Sequence, residues 1–186
     1  MSEPARRIAR YEDILALPEH LVGEILEGAL HTHPRPAPRH ALTYSVLGFA
    51  IGAPFHGGVG GPGGWWIIDE PEIHLGPDVL VPDIAGWRRE RLPELPQTAW
   101  FDLAPDWVCE ILSPATARTD RAVKMPIYAR EGVPHLWLVD PDARTLEAYR
   151  LQDNGHWLLL STLNEDDPVR QPPFEAVSFP LGSLWA

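Results

Sequence analysis

Two carboxylates stand where carboxylates are costly. In VLVPDIAGW, at 79–87, Asp83 interrupts an apolar run directly after Pro82, and in WVCEIL, at 107–112, Glu110 interrupts another. Both runs have the length and the β-branched or aromatic character of strands. Side chains alternate along a strand, so Glu110 is expected on one face with Val108 and Leu112, and Cys109 on the other. An ionised carboxylate among apolar neighbours is unfavourable unless a cation or hydrogen-bond donors compensate. One compensator is a divalent metal, since Mg²⁺ takes one or two carboxylates and completes its shell with water and substrate phosphate. The other is an arginine met at a strand end. For one acid alone the arginine pairing is the simpler reading; for the two together the metal becomes competitive.

A third residue stands out by composition. Of the 15 basic residues, Lys124 is the one lysine and the rest are arginine. A compact ammonium kept in a chain that otherwise uses guanidinium marks a place where the planar group does not serve. Such a lysine can orient water or stabilise charge developing on a phosphate. The competing reading is a lysine left on a solvated helix face. Pro126 follows it by two residues and cannot donate to a helix ladder, so the helix either kinks there or starts anew near Lys124.

Other polar groups carry less. His31 and His33 share a strand face and make a zinc half-site, but no cysteine or acid follows at a matching spacing, so a polar hairpin end is preferred. Ser113 precedes a proline and has no histidine partner in view, which leaves a hydrolase triad unsupported. Cys109 reads as a small core residue. The tract GGVGGPGG at 57–64 lacks the GK[ST] ending of a phosphate-binding loop and reads as a loop or hairpin end. Asp140 is expected to open a turn with Pro141 and Asp142.

The elements that must position these groups alternate between strands and helices. A short helix is expected over Tyr11 to Leu17, stopped by Pro18, then two short strands between Leu21 and His33 around a turn at Glu27-Gly28. The proline-rich HPRPAP at 33–38 connects them to a largely buried helix over 39–53. Strands are expected at 65–69, 72–75, 79–87, 107–112, 135–140, 145–151 and 156–162, with a helical segment from about Ala117 to Glu131. The stretch from Arg88 to Phe101 reads as irregular. This order gives an α/β or α+β fold in one domain spanning residues 1–186.

Composition sets outer bounds. The 26 acidic residues leave a formal net charge of −11, which excludes a broadly basic nucleic-acid coat but not a local positive site. The chain is long enough to bury about 70% of its unfolded surface. With one cysteine and no apolar segment in MSEPARRIARYED, the expectation is a cytoplasmic protein without disulfides, and no run reaches the roughly 20 apolar residues of a membrane span.

The stretch ILSPATARTDRAVKMPIYAREGVPHLWLVDPDARTLEAYRL, together with YEDILALPEH, GEILEGAL, PRPAPRH and VPDI, resembles the Uma2 family of restriction-endonuclease-like proteins, from Tyr11 to about Leu151. The resemblance rests on PD at 82–83, EILSP at 110–114, DRAVK at 120–124 and WLVDP at 137–141 in combination. It implies the PD-(D/E)xK nuclease fold, a central mixed β-sheet flanked by helices, with a Mg²⁺-dependent phosphodiesterase site, Mn²⁺ being a possible substitute. On that likeness Asp83 is the acid of the PD pair and Glu110 the second metal-binding carboxylate. The superfamily's lysine position is Leu112 here, so the plain ExK motif is broken and Lys124, from the next helix, occupies the matching place. Glu24 resembles an additional N-terminal acid that helps bind metal or water; an exposed hairpin acid is the alternative. His40, in PRH, matches a family position that would line the cleft. The expected function is a metal-dependent endonuclease on nucleic acid, DNA ahead of RNA, acting as a homodimer. Against it stands a catalytically weak or inactive module that binds nucleic acid or protein on the same fold, and, more distantly, a structural dimer subunit with tryptophan-rich contacts.

Overall fold

A computed structural model describes residues 7–34 and 36–185. Residues 1–6, Arg35 of the proline-rich connector and Ala186 lie outside the described residues.

Two sheets meet at the site. A six-stranded sheet has the order β10-β9-β8-β7-β6-β3, built from Trp65–Asp69 (β3), Ile84–Arg88 (β6), Trp107–Ile111 (β7), His135–Asp140 (β8), Thr145–Leu151 (β9) and Trp157–Asn164 (β10). A four-stranded sheet has the order β2-β1-β5-β4, from Leu21–Leu26 (β1), Ala29–Pro34 (β2), Ile73–Leu75 (β4) and Asp78–Leu80 (β5). The expected hairpin at Glu27-Gly28 forms, with both residues at positive φ, and pairs Glu24 with His31. A final two-stranded ribbon, Pro168–Val169 (β11) with Phe179–Pro180 (β12), lies in a C-terminal stretch that carries no strong periodic signal.

The stretch 79–87 is not one strand. Asp78–Leu80 belongs to the small sheet and Ile84–Arg88 to the large one, and Val81-Pro82-Asp83 crosses between them. Proline supplies no N–H to a ladder, so pairing lapses at Pro82 and the chain changes sheets there. This correction places Asp83 at the hinge between the sheets rather than within a strand.

Strands β7 and β8 run parallel, with Glu110 level with Leu138. A parallel pair needs a crossover, and here the crossover is helical. It consists of Ala117–Thr119 (α3), a π-helical turn Asp120–Lys124 and Met125–Arg130 (α4), and it brings Lys124 back over the strand that carries Glu110. Pro126 explains the irregularity. It has no N–H to give, and the Met125 N–H reaches five residues back to the Asp120 carbonyl, widening the turn so that the helix restarts with proline in its first turn.

The large sheet is apolar on both faces. One face joins Trp107, Cys109, Ile111, Trp137 and Val139 to Leu47 and Ile51 of the helix Pro38–Ile51 (α2). The other joins Val108, Leu136 and Leu138 to Ile127 and Tyr128 of α4 and to Leu26, Ile73 and Leu80 of the small sheet. Cys109 and Glu110 therefore face opposite ways, as their alternation required. Trp87 and Trp137, both fully buried, send their indole N–H groups to the carbonyls of Leu103 and Pro172, so the bulk is buried without an orphaned donor. The leading helix spans Tyr11–Leu15 (α1), and α2 ends in a second π-helical turn, Gly52–His56. The glycine tract is a loop folded against that turn. Gly63 donates to the Pro54 carbonyl at 2.9 Å, and a Cβ on Gly61 would come within 2.8 Å of the same oxygen, so only glycine fits. Asp140 opens the expected turn, its Oδ1 accepting the N–H groups of Asp142 and Ala143 at 2.9 Å.

Candidate active site

The Ile84–Cys109 pair of the antiparallel β6–β7 ladder fixes the centre. Continuing that register by one residue sets Asp83 beside Glu110 on the same face. Asp83 Oδ2 accepts the backbone N–H of Ile111 at 2.7 Å, which ties the sheet-crossing segment to the end of β7. Asp83 Oδ1 stands 3.4 Å from Nε2 of His40, in the first turn of α2, and that same nitrogen donates to the Ile111 carbonyl at 2.7 Å. Burial acts against the imidazolium, but hydrogen bonding and charge from Asp83 outweigh it and raise the His40 pKa above its ordinary value.

Around Glu110 the other groups converge. Lys124 Nζ lies 2.8 Å from Glu110 Oε1, 3.1 Å from Glu24 Oε1 and 3.8 Å from Asp120 Oδ1, and each of these side chains is almost wholly buried. The ammonium also approaches the Val81 carbonyl at 3.4 Å, while the Val81 N–H donates to Glu24 Oε1 at 2.7 Å. The segment 81–83 is thus held by site residues through both backbone groups of Val81 and through the Asp83 carboxylate. Tyr128, fully buried, donates its hydroxyl to Glu110 Oε1 at 2.6 Å.

Three carboxylates therefore share one ammonium, and Asp83 stands beside His40. Burial pushes the Glu110 carboxyl well above the usual carboxylate range; Lys124 pulls it back, and Asp120, Asp83 and Glu24 raise it further. Burial raises Asp120 in the same way, again against the pull of Lys124. For Lys124 burial favours the neutral amine, but Glu110 and Glu24, with Tyr128 and Asp120, outweigh it and hold the pKa well above that of a free lysine. The ammonium is charged through the neutral range, and the surplus negative charge is what a proton or a further cation must balance.

These residues form the floor of a cavity of about 390 Å³. His31, His33, Pro34, His40, Ser113, Thr116 and Thr119 also line it. Asp83, Glu110, Glu24 and Lys124 all line this cavity, and Glu24 is buried rather than exposed. His31 and His33 belong to the cavity wall and not to a mere hairpin end. Leu112, at the position of the missing lysine, is buried in the core. Tyr128 and the part played by Asp120 were not singled out from the sequence. The spacing of Asp120, Lys124 and Tyr128 by four residues each, one face of a helix, was the available signal.

Carboxylate oxygens, as on Asp83, Glu110 and Glu24, are the donor type that a hard divalent cation takes. Among the described residues no three His, Cys, Asp or Glu side chains are gathered into a ready metal cage. A bound ion would draw on Asp83 and Glu110 and complete its shell with water, the mode usual for Mg²⁺. Glu110 has one oxygen taken by Lys124 and Tyr128, and Asp83 has one taken by the Ile111 N–H. The second oxygen of Asp83 is the one that stands 3.4 Å from His40 Nε2.

A family model, Uma2, described as "Putative restriction endonuclease", matches residues 11–182. The chain belongs to the Uma2 family. A solved structure described as a putative nuclease belonging to DUF820, from Anabaena variabilis ATCC 29413, is similar with a TM-score of 0.70 and 25% sequence identity, over 94% of this chain and 96% of that one. No curated protein matches. The fold is the restriction-endonuclease-like mixed α/β fold, and the match runs past Leu151 to take in most of the C-terminal ribbon region. No helix among the described residues is long and apolar enough to cross a membrane.

Proposed function

We propose that this Uma2 protein is a metal-dependent endonuclease that hydrolyses phosphodiester bonds in nucleic acid, with Asp83 and Glu110 holding Mg²⁺ or Mn²⁺. The observation that supports this best is the pairing of these two carboxylates, from a sheet-crossing hinge and the adjacent strand, at the floor of a cavity where carboxylates outnumber cations. A divalent ion, when bound, would supply the missing positive charge, polarise the scissile phosphate and lower the pKa of a water.

The chain's own groups do the rest. The Ile111 N–H and His40 orient Asp83; Lys124 and Tyr128 orient Glu110. Glu24 holds both the ammonium and the Val81 N–H, which fixes the hinge, and stands beside the pair as a further acid for metal or a metal-bound water. Lys124 stays protonated, so it is not a general base in this scheme. It steadies the carboxylates and adds positive potential where charge develops on phosphate. Ser113, Thr116 and Thr119 line the cavity that a phosphate would occupy. DNA ahead of RNA, and a working unit of two copies, belong to the same proposal.

A second reading has its own support. The ammonium has an acceptor for each of its three hydrogens in Glu110, Glu24 and the Val81 carbonyl, leaving none for a water or phosphate, which suits a module that binds without cutting. Incubation of the purified protein with single- and double-stranded DNA and RNA, with Mg²⁺, Mn²⁺ or EDTA, separates the two. Metal-dependent cleavage supports the nuclease; retention of substrate without cleavage supports the binding module.

A further inference from the structure

Glu110 is a carboxylate with two donors on the same oxygen. Tyr128 donates to Oε1 at 2.6 Å and Lys124 reaches it at 2.8 Å. The terminal torsion of a glutamate is broad and roughly two-fold, so an unrestrained carboxylate could present either oxygen, or both, to a cation. Two donors on one oxygen remove that freedom. Packing alone does not require the hydroxyl, because Tyr128 belongs to the same buried apolar cluster as Ile127, Val133, Leu136 and Leu138, where a phenylalanine ring would serve as well. A buried phenol needs an acceptor, and the one Tyr128 uses among the described residues is Glu110.

We propose that Tyr128 is a positioning residue of the metal centre: with Lys124 it claims Oε1 of Glu110 and presents Oε2 as the single ligand atom of that side chain, an inference that rests on Asp83 and Glu110 being the metal-holding pair. Coordination through Glu110 is then one-oxygen rather than bidentate. The hydroxyl sets the orientation before the ion arrives, and its removal lets the carboxylate rotate. Groups that orient a metal ligand through its other atom typically contribute about 10–100-fold in metal affinity or activity.

The test is a Mn²⁺ titration followed by electron paramagnetic resonance on the full chain, for wild type, Tyr128→Phe and Glu110→Gln, with a thermal melt of each. Tyr128→Phe should bind Mn²⁺ about tenfold or more weakly, and excess Mn²⁺ should return its cleavage rate toward that of wild type. A change in metal requirement without a matching loss of kcat at saturating metal is not what a merely structural residue gives. Wild-type affinity in Tyr128→Phe, with binding lost in Glu110→Gln, would overturn the role of Tyr128 and leave the nuclease reading standing. No binding by wild type, or full binding by Glu110→Gln, would overturn that reading and this inference with it. Should Tyr128→Phe fail to fold, wild-type protein carrying ¹³C in its tyrosine rings gives the same answer by NMR with Mg²⁺ as the probe. A shift of the Tyr128 resonance larger than those of Tyr11, Tyr44 and Tyr149 supports the inference, and a Tyr128 resonance that does not move overturns it.

Discussion

Replacing Lys124 by methionine removes the one cation from a buried set of carboxylates while keeping a side chain of similar length. The ammonium lies 2.8 Å from Glu110 and 3.1 Å from Glu24, all three being 3% exposed. Unit charges about 3 Å apart attract by about 5 kcal/mol at an effective dielectric constant near 20. Burying the ammonium costs several kcal/mol of hydration, so the net loss expected on leaving the acids uncompensated is about 3–5 kcal/mol. For a chain of this size that lowers the melting temperature by about 10 °C. The loss should also depend on pH. Burial already raises Glu110 above its unfolded value, and without Lys124 nothing pulls it back. A carboxyl whose folded pKa is raised stabilises the protein most below its unfolded pKa, and that stability is lost as pH rises through the folded value. The deficit of Lys124→Met should therefore be small near pH 4.5 and large at pH 8, read by calorimetry or circular dichroism in EDTA. A variant that melts within a degree of wild type at pH 8 would refute the claim that Lys124 balances the buried acids.

Other perturbations probe neighbouring links. His40→Gln keeps a donor for the Ile111 carbonyl but not the titrating charge beside Asp83; because the folded His40 pKa is raised, the stability it adds is present below about pH 6.5 and is lost as pH rises through the folded value, so the variant should flatten that decline in a series of melts. Pro126→Ala restores an N–H to the helix and should let the π-helical turn close, carrying Lys124 away from Glu110; a weaker Mn²⁺ affinity is expected, and an unchanged one would show that proline does not set the register. Gly61→Ala drives a Cβ against Pro54 and should cost about 1–3 kcal/mol in a denaturant titration, while metal affinity of the folded fraction stays the same because Gly61 does not line the cavity.

Much of this molecule was legible in the chain. His135–Asp140 and Thr145–Leu151 fall where the aromatic and β-branched runs place them, because both strands are bounded by strong turn signals. Asp83 and Glu110 stood out as candidates because an acid within an apolar run conflicts with burial. The hinge at 81–83 was not legible: alternation along 79–87 is blind to a change of sheet, and Pro82 is as compatible with an edge strand as with a crossing. Tyr128 was missed because an aromatic on a helix reads first as core, which it also is. His31 and His33 acquire their place only through the fold of the hairpin over the cavity.

The central claim is tested most directly by cleavage assays on wild type, Asp83→Asn and Glu110→Gln. Each amide keeps the acceptor used by Ile111, or by Tyr128 and Lys124, so the fold should survive while the metal-holding charge is lost. The account predicts Mg²⁺- or Mn²⁺-dependent cutting of nucleic acid by wild type, its abolition by EDTA, and its loss in both variants at unchanged secondary structure. Cleavage that persists in either variant, or a wild type that cuts nothing with either metal, would contradict it.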